Sequence, residues 1–557
     1  MSIGRIGEFE DFLYEDIEDR LSPIKGESTF SRFSKITVAF IEIPIALITT
    51  IVHQCIQNLV RLTKIFTKSP SAKEDFSVVV EDPRKWSEID VDHEIMQRLQ
   101  LGHANSDFKW GTGTCNYQSD PKNFREAQWD SWEPPLENSD LERPLPELYR
   151  SYTTPEGRQE LIRQLQDLGV NTFRFSISLP KTMLPDGGCN EEEFAVIIAL
   201  CKDLRDAGIA PVVTLHHFAE EQKWHNQGSF ATKENAQKFV NFAVNHAIPA
   251  LCQDYMGEML VERIYTINEP NVEAFSRYIR GAFSPGIYFD FEKAFHFLMN
   301  MYEAHNEIYR LAKQQFPEAK IGLTYQYLVF KSANPFTYPV TSYLTEFVNN
   351  VSMRYFAASK DSDEDTVETS FKAPGLVNLK RKTKKFQADF MGVQVYVRPF
   401  IGVTGSIPPY NGIVYRITRL VRALFGWKNE VPVMTSMPFW EDPAAVFPAI
   451  VSMFKALGIK LHLSELGICP KDEKQRARFL RRVLYAAQEA AKEIGEENFE
   501  GAILWSMRTW EWNDPHNKWH GFSTFDENGQ VKTGAAPFKE AIARWKKQFP
   551  AAREAAG

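Results

Sequence analysis

Eight short runs of β-branched and aromatic residues recur along the chain from residue 108 onward. They constrain the fold more than any other feature of the 557 residues. Such runs predict β-strands. Amphipathic helical patterns separate most of them, among them 158–168 and 191–207, the second of which ends at Gly208. The eight predicted strands are 108–112, 171–177, 211–215, 263–268, 320–325, 389–396, 460–464 and 502–507.

The alternation of strands and helices predicts an α/β fold, a (β/α)8 TIM barrel with long loops. Several of the strands are apolar on both faces, as expected when helices cover a parallel sheet. The alternative is an open, doubly wound sheet. It is disfavoured because the stretch after the first strand, Gly111-Thr112-Gly113-Thr114, lacks the third glycine of a phosphate-binding loop.

Chemically active side chains stand at the ends of the predicted strands. The carboxyl ends of the strands form the active site in barrels of this kind, so these side chains are expected to meet at one mouth. A pair of glutamates there suits nucleophilic and acid–base chemistry on a sugar acetal. Each glutamate alone also fits an ordinary structural salt bridge. The residues in question are His216, His217, Glu269, Tyr396, Glu465 and Trp505.

Composition excludes some classes of protein. A net charge of −8 and a pI near 5.9 argue against a nucleic-acid binder, which normally shows a basic footprint. The six cysteines are scattered without a CxxC pair, which fits free thiols in a reducing compartment better than disulfides or a zinc site. No metal or organic cofactor is expected. His216 and His217 are neighbours in a strand, so they face opposite ways and are poorly placed to share one ion.

The first 70 residues differ in character from the rest. An apolar run over 36–52 is interrupted by Glu42 and Pro44, which disfavours a full membrane span. The pattern up to residue 68 is amphipathic with basic flanks, which predicts peripheral membrane contact through residues 36–68 of an otherwise cytoplasmic protein. The alternative is a helical pair that packs on the protein itself. Residues 71–104 are interpreted as a linker with a short helix and residues 105–547 as the barrel domain.

A series of short motifs stands along the chain from the end of the first predicted strand onward. In sequence order the motifs are Tyr117-Gln118, Trp129-Asp130, Arg174-Phe175-Ser176, His216-His217-Phe218, Thr266-Ile267-Asn268-Glu269-Pro270, Leu463-Ser464-Glu465-Leu466-Gly467, Trp505-Ser506 and Trp510-Glu511-Trp512. Together they resemble the motifs of glycoside hydrolase family 1, the β-glucosidase-like retaining enzymes. No single motif decides the matter, but their order along the chain is that of the family, and the resemblance covers residues 105–545.

The resemblance implies a role for each of these positions. Glu465 would be the nucleophile and Glu269 the acid and base. Arg174 and Tyr396 would support the nucleophile and keep it charged, since a nearby cation and hydrogen bonds lower the pKa of a carboxyl group. The sugar would be bound by Gln118, His217, Asn268, Trp505, Glu511 and Trp512.

The chain also departs from the family pattern. None of the departures removes a catalytic carboxylate, but together they indicate a divergent branch and leave the donor sugar and the aglycone open. Leu466 stands where the family has Asn, Ala219-Glu220-Glu221 replaces Asp-Leu-Pro, Gln394-Val395-Tyr396 replaces Asn-Tyr-Tyr, and Arg508-Thr509 replaces Asp-Asn.

The function implied by the resemblance is hydrolysis of a β-glucoside or β-galactoside with retention. The two carboxyl groups of such an enzyme lie about 5–5.5 Å apart. One alternative is a transglycosylase that moves a sugar to a lipid or saccharide acceptor, and another is a non-catalytic glycan-binding protein on the same fold. A 6-phospho-glycosidase is less favoured, because the stretch after the eighth strand offers only Lys518 as a phosphate ligand.

Overall fold

The structure is a computed structural model, and its eight central strands all run parallel in one closed barrel. It describes residues 92–119, 127–129, 152–328, 330–332, 338–373, 377–396, 400–401, 443–470, 472–507, 520–526 and 528–550. The barrel strands are β1 (Lys109–Thr114), β2 (Thr172–Ser176), β3 (Ala210–His216), β4 (Arg263–Ile267), β5 (Lys320–Gln326), β6 (Phe390–Val395), β7 (Lys460–Leu466) and β8 (Phe499–Trp505).

Each strand pairs with the strands before and after it in the sequence, and β1 closes the ring by pairing with both β2 and β8. All eight predicted strands overlap these eight, so the predicted (β/α)8 fold is confirmed. The strands are almost continuously buried, including every residue of β2 and β8. This is what a parallel barrel covered by helices requires.

Helices surround the barrel, and capping residues fix where they begin and end. The outer helices are α1 (Pro155–Leu168), α2 (Glu191–Asp206), α3 (Lys233–Phe242), α4 (Phe291–Gln315), α5 (Val351–Asp361), α6 (Val446–Leu457), α7 (Glu473–Ile494) and α8 (Ala536–Gln548). The Thr154 side chain accepts from the Gly157 N–H at the start of α1, and Gly169 ends that helix with a left-handed backbone (φ 84°). Shorter helices include Asp92–Arg98, Asn116–Ser119, Gln222–Asn226, Pro270–Tyr278 and Tyr338–Thr345.

Three two-stranded sheets lie outside the barrel in the described residues. The longest is an antiparallel hairpin made by Thr366–Ala373 and Val377–Lys384. Phe371 on its inner face packs against Phe291, Phe295 and Phe347, at ring-centroid distances of 5.6, 6.5 and 5.4 Å. The hairpin therefore extends the core beyond the ring of helices, over α4 and the start of α5.

The predicted membrane-contact segment, residues 36–68, lies outside the described residues. Within the part of the chain that the structure covers, no helix combines the length and the apolar character needed to cross a membrane.

Candidate active site

The carboxylate of Glu465, near the end of β7, is held by donors from β2 and β6. Gln394 Nε2 donates to Glu465 Oε1 over 2.6 Å, and Arg174 Nη1 forms an ion pair with the same oxygen. The hydroxyl of Tyr396, just past β6, donates to the other oxygen. Glu465 is 3% exposed, so these three groups take the place of water around it.

Opposing influences act on the protonation of Glu465. Burial raises the pKa of its carboxyl group, whereas the charge of Arg174 and the hydrogen bond from Tyr396 lower it; burial prevails, so the pKa is raised. The sequence predicts both supporting residues but not the burial of the carboxylate. The two partners therefore limit a rise in pKa that burial alone would make larger.

Asn268, directly after β4, belongs to the same network. Its Oδ1 accepts from Arg174 Nη2 (2.6 Å), Thr324 Oγ1 (2.8 Å) and Gln394 Nε2 (2.9 Å). Three donors around one oxygen fix the orientation of the amide, so its nitrogen faces away from them. That buried nitrogen has no hydrogen-bond partner within the described residues, which leaves it available to bond a ligand.

Glu269 follows in a left-handed backbone conformation (φ 43°, ψ 59°). Its N–H donates to Thr324 Oγ1 over 3.1 Å, and its carbonyl oxygen accepts from the N–H groups of Val272 and Glu273. Glu269 is thus the N-cap residue of the helix Pro270–Tyr278. Pro270 fits the first helical position because no N–H is needed there. The side chain is buried, at 4% exposure of the residue, at the mouth end of β4.

Residues expected to bind sugar flank this network. His217, directly after β3, lies beside Trp505 at the end of β8, with ring centroids 5.8 Å apart. Burial and the charge of Arg174 lower the pKa of His217 well below its ordinary value, so its ring is neutral and offers one donor and one acceptor. Gln118 is buried on the short helix after β1. The remaining two expected residues, Glu511 and Trp512, lie outside the described residues.

His216 faces away from the mouth, as the alternation of strand side chains requires. It belongs to a group that we call the buried ionic cluster, which contains His216, Glu220, His225, Glu273 and Arg277. Ligand atoms of three members, His216, Glu220 and Glu273, lie within 4.8 Å of one another, a spacing that a metal ion could bridge. The guanidinium of Arg277 already bonds both carboxylates, however, and supplies the positive charge that they need.

Sequence reasoning missed two members of the network around Glu465, namely Gln394 and Thr324. Gln394 was noticed only as a departure from the family pattern. Its place two residues before Tyr396 was the available signal, because residues two apart in a strand share a face. Thr324 in β5 carried no such signal, since nothing in the sequence places it beside Asn268.

Comparison with known proteins assigns the family. The sequence model of glycosyl hydrolase family 1 matches residues 104–548. A 6-phospho-beta-galactosidase of Streptococcus mutans is 23% identical over 469 residues, which cover 76% of this chain and 94% of that protein. A 6-phospho-beta-galactosidase of Leptotrichia buccalis is 24% identical over 491 residues, covering 80% and 98% of the two chains.

Solved structures share the fold. The beta-glycosidase from Pyrococcus horikoshii superposes with a TM-score of 0.58 at 20% identity, covering 79% of this chain and 96% of that one. A family 1 beta-glucosidase from Thermotoga maritima gives 0.59 at 18% identity, covering 79% and 98%. The family match extends over most of the chain, and these neighbours carry the same barrel. The chain therefore belongs to glycosyl hydrolase family 1 and is a glycoside hydrolase.

Proposed function

We propose that the chain is a retaining β-glycosidase in which Glu465 is the nucleophile and Glu269 is the acid and base. One observation carries the proposal. A single amide nitrogen, Gln394 Nε2, lies 2.6 Å from the Glu465 carboxylate and 2.9 Å from Asn268 Oδ1, and Asn268 is the neighbour of Glu269. The network therefore joins the ends of the two strands that carry the glutamates.

In the first step, a Glu465 oxygen attacks the anomeric carbon and the bond to the glycosidic oxygen breaks. Glu269 gives its proton to that oxygen, so the aglycone leaves as an alcohol and the sugar is held as an ester on Glu465. The Arg174 guanidinium and the Tyr396 hydroxyl favour the ionised form of Glu465 that this attack requires.

In the second step, Glu269 accepts a proton from water, whose oxygen attacks the anomeric carbon. The ester bond breaks and Glu465 leaves as a carboxylate, so both glutamates regain their starting states. The free Asn268 amide nitrogen is proposed to donate to the sugar 2-hydroxyl, a contact that strengthens in the transition state. The neutral His217 ring and the Trp505 face would bind the same sugar.

The proposed substrate class is a β-glucoside or β-galactoside. The curated relatives carry the name 6-phospho-beta-galactosidase, which makes a phosphorylated galactoside the second candidate. The stretch with Lys518 lies outside the described residues. Residues 413–427, which also lie outside them, are rich in apolar side chains, a composition that would favour transfer to a lipid acceptor. We likewise propose the barrel domain as residues 105–547, preceded by the linker 71–104 and the N-terminal extension 1–70.

A mechanism-based 2-fluoro sugar tests the assignment of the nucleophile. Such a sugar should leave a covalent adduct on Glu465, located by peptide mass spectrometry, and Glu465→Gln should give no adduct. Glu500→Gln, which changes a buried carboxylate in the first half of β8, should be labelled like the wild type. An adduct on any other residue would refute the assignment.

Substrate panels separate the remaining alternatives. Aryl β-glucosides, β-galactosides and their 6-phosphates should rank the candidate donors, and NMR of the first product should show the β-anomer. A rise in alkyl glycoside product on addition of an alcohol would indicate transglycosylation. Binding of glycosides by Glu465→Ala, with no turnover of any of them by the wild type, would instead indicate a glycan-binding protein.

A further inference from the structure

The buried ionic cluster lies on the outer side of β3 and is held together by short contacts between charged and polar side chains. Arg277 Nη2 lies 2.9 Å from Glu220 Oε1 and 2.6 Å from Glu273 Oε1. His225 Nδ1 lies 2.9 Å from Glu220 Oε2. His216 sits between the carboxylates, 3.2 Å from Glu220 and 3.6 Å from Glu273. All five side chains are at least nine-tenths buried.

The cluster joins two segments that lead directly from the candidate active site. Glu273 and Arg277 lie on the helix Pro270–Tyr278, whose first residue follows Glu269. The Glu273 N–H donates to the Glu269 carbonyl oxygen over 3.1 Å. Glu220 lies three residues after His217. Its ion pair with Arg277 connects this segment to the helix Pro270–Tyr278, and the first turn of that helix fixes the backbone conformation of Glu269.

The segment that carries Glu220 is itself anchored. The Glu220 N–H donates to Gln128 Oε1 over 2.6 Å, and the Gln128 N–H donates to the Glu220 carbonyl oxygen over 3.1 Å. The Phe218 carbonyl oxygen accepts from Trp129 Nε1 over 3.0 Å. Because both backbone groups of Glu220 are hydrogen-bonded, its main chain is held in place, and its side chain can position the helix Pro270–Tyr278 through Arg277.

The charge of Arg277 decides the protonation state of Glu220 in the cluster. Although burial raises the pKa of Glu220, the charge of Arg277 and the hydrogen bonds from His216 and His225 lower it well below the ordinary value. Glu220 is therefore ionised and pairs with Arg277. Burial raises the pKa of Glu273. Buried ion pairs add little net stability compared with apolar packing, but they favour one arrangement of their elements over others.

We propose that Glu220 is a positioning residue that, through Arg277, sets the orientation of the Glu269 carboxyl group toward the bound glycoside. This inference rests on the proposed role of Glu269 as acid and base. It gives a function to the Ala219-Glu220-Glu221 sequence, at which the chain departs from the family pattern. Glu220 does not touch the reacting atoms.

The readout that isolates this role is the dependence of rate on the leaving group. An aglycone such as 2,4-dinitrophenol departs without a proton, whereas an unsubstituted phenol or an alcohol needs the proton of Glu269. Misplacement of Glu269 should therefore slow poor leaving groups selectively. For Glu220→Gln, kcat/KM for the phenyl glycoside should fall about tenfold more than for the dinitrophenyl glycoside. This is less than the roughly 10²- to 10⁴-fold rate gain that a general acid contributes, because Glu269 is displaced and not removed.

Glu500→Gln is the matched control. Glu500 is also a buried carboxylate paired with an arginine, Arg263, at 2.7 Å. It lies at the amino end of the barrel, because Arg263 begins β4 and Glu500 is the second residue of β8. This variant should lose stability in the same way but keep the wild-type ratio between the two glycosides.

Arg277→Lys is the second variant, for the case in which Glu220→Gln does not fold. Lysine keeps the positive charge but lacks the planar guanidinium that contacts both Glu220 and Glu273. The variant should therefore change the leaving-group ratio in the same direction by a smaller factor. A folded Glu220→Gln or Arg277→Lys protein with the wild-type ratio would overturn the positioning role while leaving the proposed function intact. If the wild type hydrolyses neither glycoside and forms no adduct on Glu465, the proposed function itself fails, and the inference with it.

Discussion

The charge state of one residue, Glu465, results from influences that oppose each other. Burial favours the neutral carboxyl group, and the hydrogen bond from Tyr396 and the charge of Arg174 favour the carboxylate. A nucleophile must be ionised, so in the proposed mechanism the partners decide how far into the acid range the protein remains active. Removal of one partner should therefore move the acidic limb of the activity profile.

Tyr396→Phe should shift the acidic limb of kcat/KM to higher pH. The variant removes a group that lowers the pKa of Glu465 and leaves burial, which raises it. A hydrogen bond to a charged group contributes about 1.5–3 kcal/mol, so the acidic limb should move by roughly 1–2 pH units. The measurement is kcat/KM for an aryl glycoside across pH 4–8. Tyr302→Phe removes a buried hydroxyl that bonds Ser352 outside the site and should leave the profile in place; an unmoved limb in Tyr396→Phe would contradict the prediction.

Sequence reasoning reaches residues of this site to the extent that they are tied to strand ends. Glu269, Glu465 and Tyr396 could be singled out because each closes a predicted strand, and in the barrel such ends converge. Glu220 and Arg277 could not. Their meaning depends on a contact between the segment after β3 and a short helix after β4, and no periodicity records that contact.

The hairpin made by Thr366–Ala373 and Val377–Lys384 is an element that the sequence pattern does not predict. Its second strand carries a basic run from Lys380 to Lys384, a pattern that is typical of solvated surface. In the structure Lys380, Lys382 and Lys384 are exposed, while Thr383 on the other face is buried. Exposed and buried side chains therefore alternate along this strand, but the long charged side chains on its outer face make the sequence more polar than that of a typical strand. The barrel strands are buried on both faces, so their sequences are apolar and could be recognised as strands.

Phe371→Ala should separate the stability of this element from catalysis. The side chain is fully buried against three other phenylalanine rings, and a buried Phe→Ala change costs about 3–5 kcal/mol. Urea unfolding should show this loss, while KM for an aryl glycoside stays the same. Lys382→Ala, on the exposed face of the same hairpin, should change stability by less than about 0.5 kcal/mol. A large change in KM would mean that the hairpin supports the mouth.

At the scale of the whole molecule, the carboxyl and amino ends of the barrel strands carry different kinds of polar groups. The carboxyl end gathers the groups around Glu465. The amino end carries Glu500, which pairs with Arg263 at 2.7 Å and Lys460 at 2.8 Å. Although burial raises the pKa of Glu500, these cations lower it more, to about 2. This end is therefore expected to contribute stability and no catalysis, as in other barrels of this type.

Glu500 predicts a pH dependence of unfolding. Its pKa is lower in the folded protein than the ordinary value of 4.5, so its contribution is complete above that value and is lost as the pH falls toward 2. Glu500→Gln should cost about 3 kcal/mol at pH 7, the usual effect of breaking a buried pair. Its unfolding midpoint should also fall less steeply than that of the wild type between pH 5 and pH 3. Parallel curves for the two proteins would show that Glu500 is not coupled to unfolding.

The left-handed backbone at Glu269 carries a consequence for how such a protein can change. A residue with a β-carbon is strained at φ 43°, by roughly 1–2 kcal/mol, and glycine is not. Replacement by glycine should therefore abolish turnover yet raise the thermal midpoint, because the same step relieves the backbone and removes a buried carboxyl group. Selection for robustness alone would discard this glutamate. Stability therefore does not explain a glutamate at this position, whereas the proposed mechanism does, because it needs the Glu269 carboxyl group to transfer a proton.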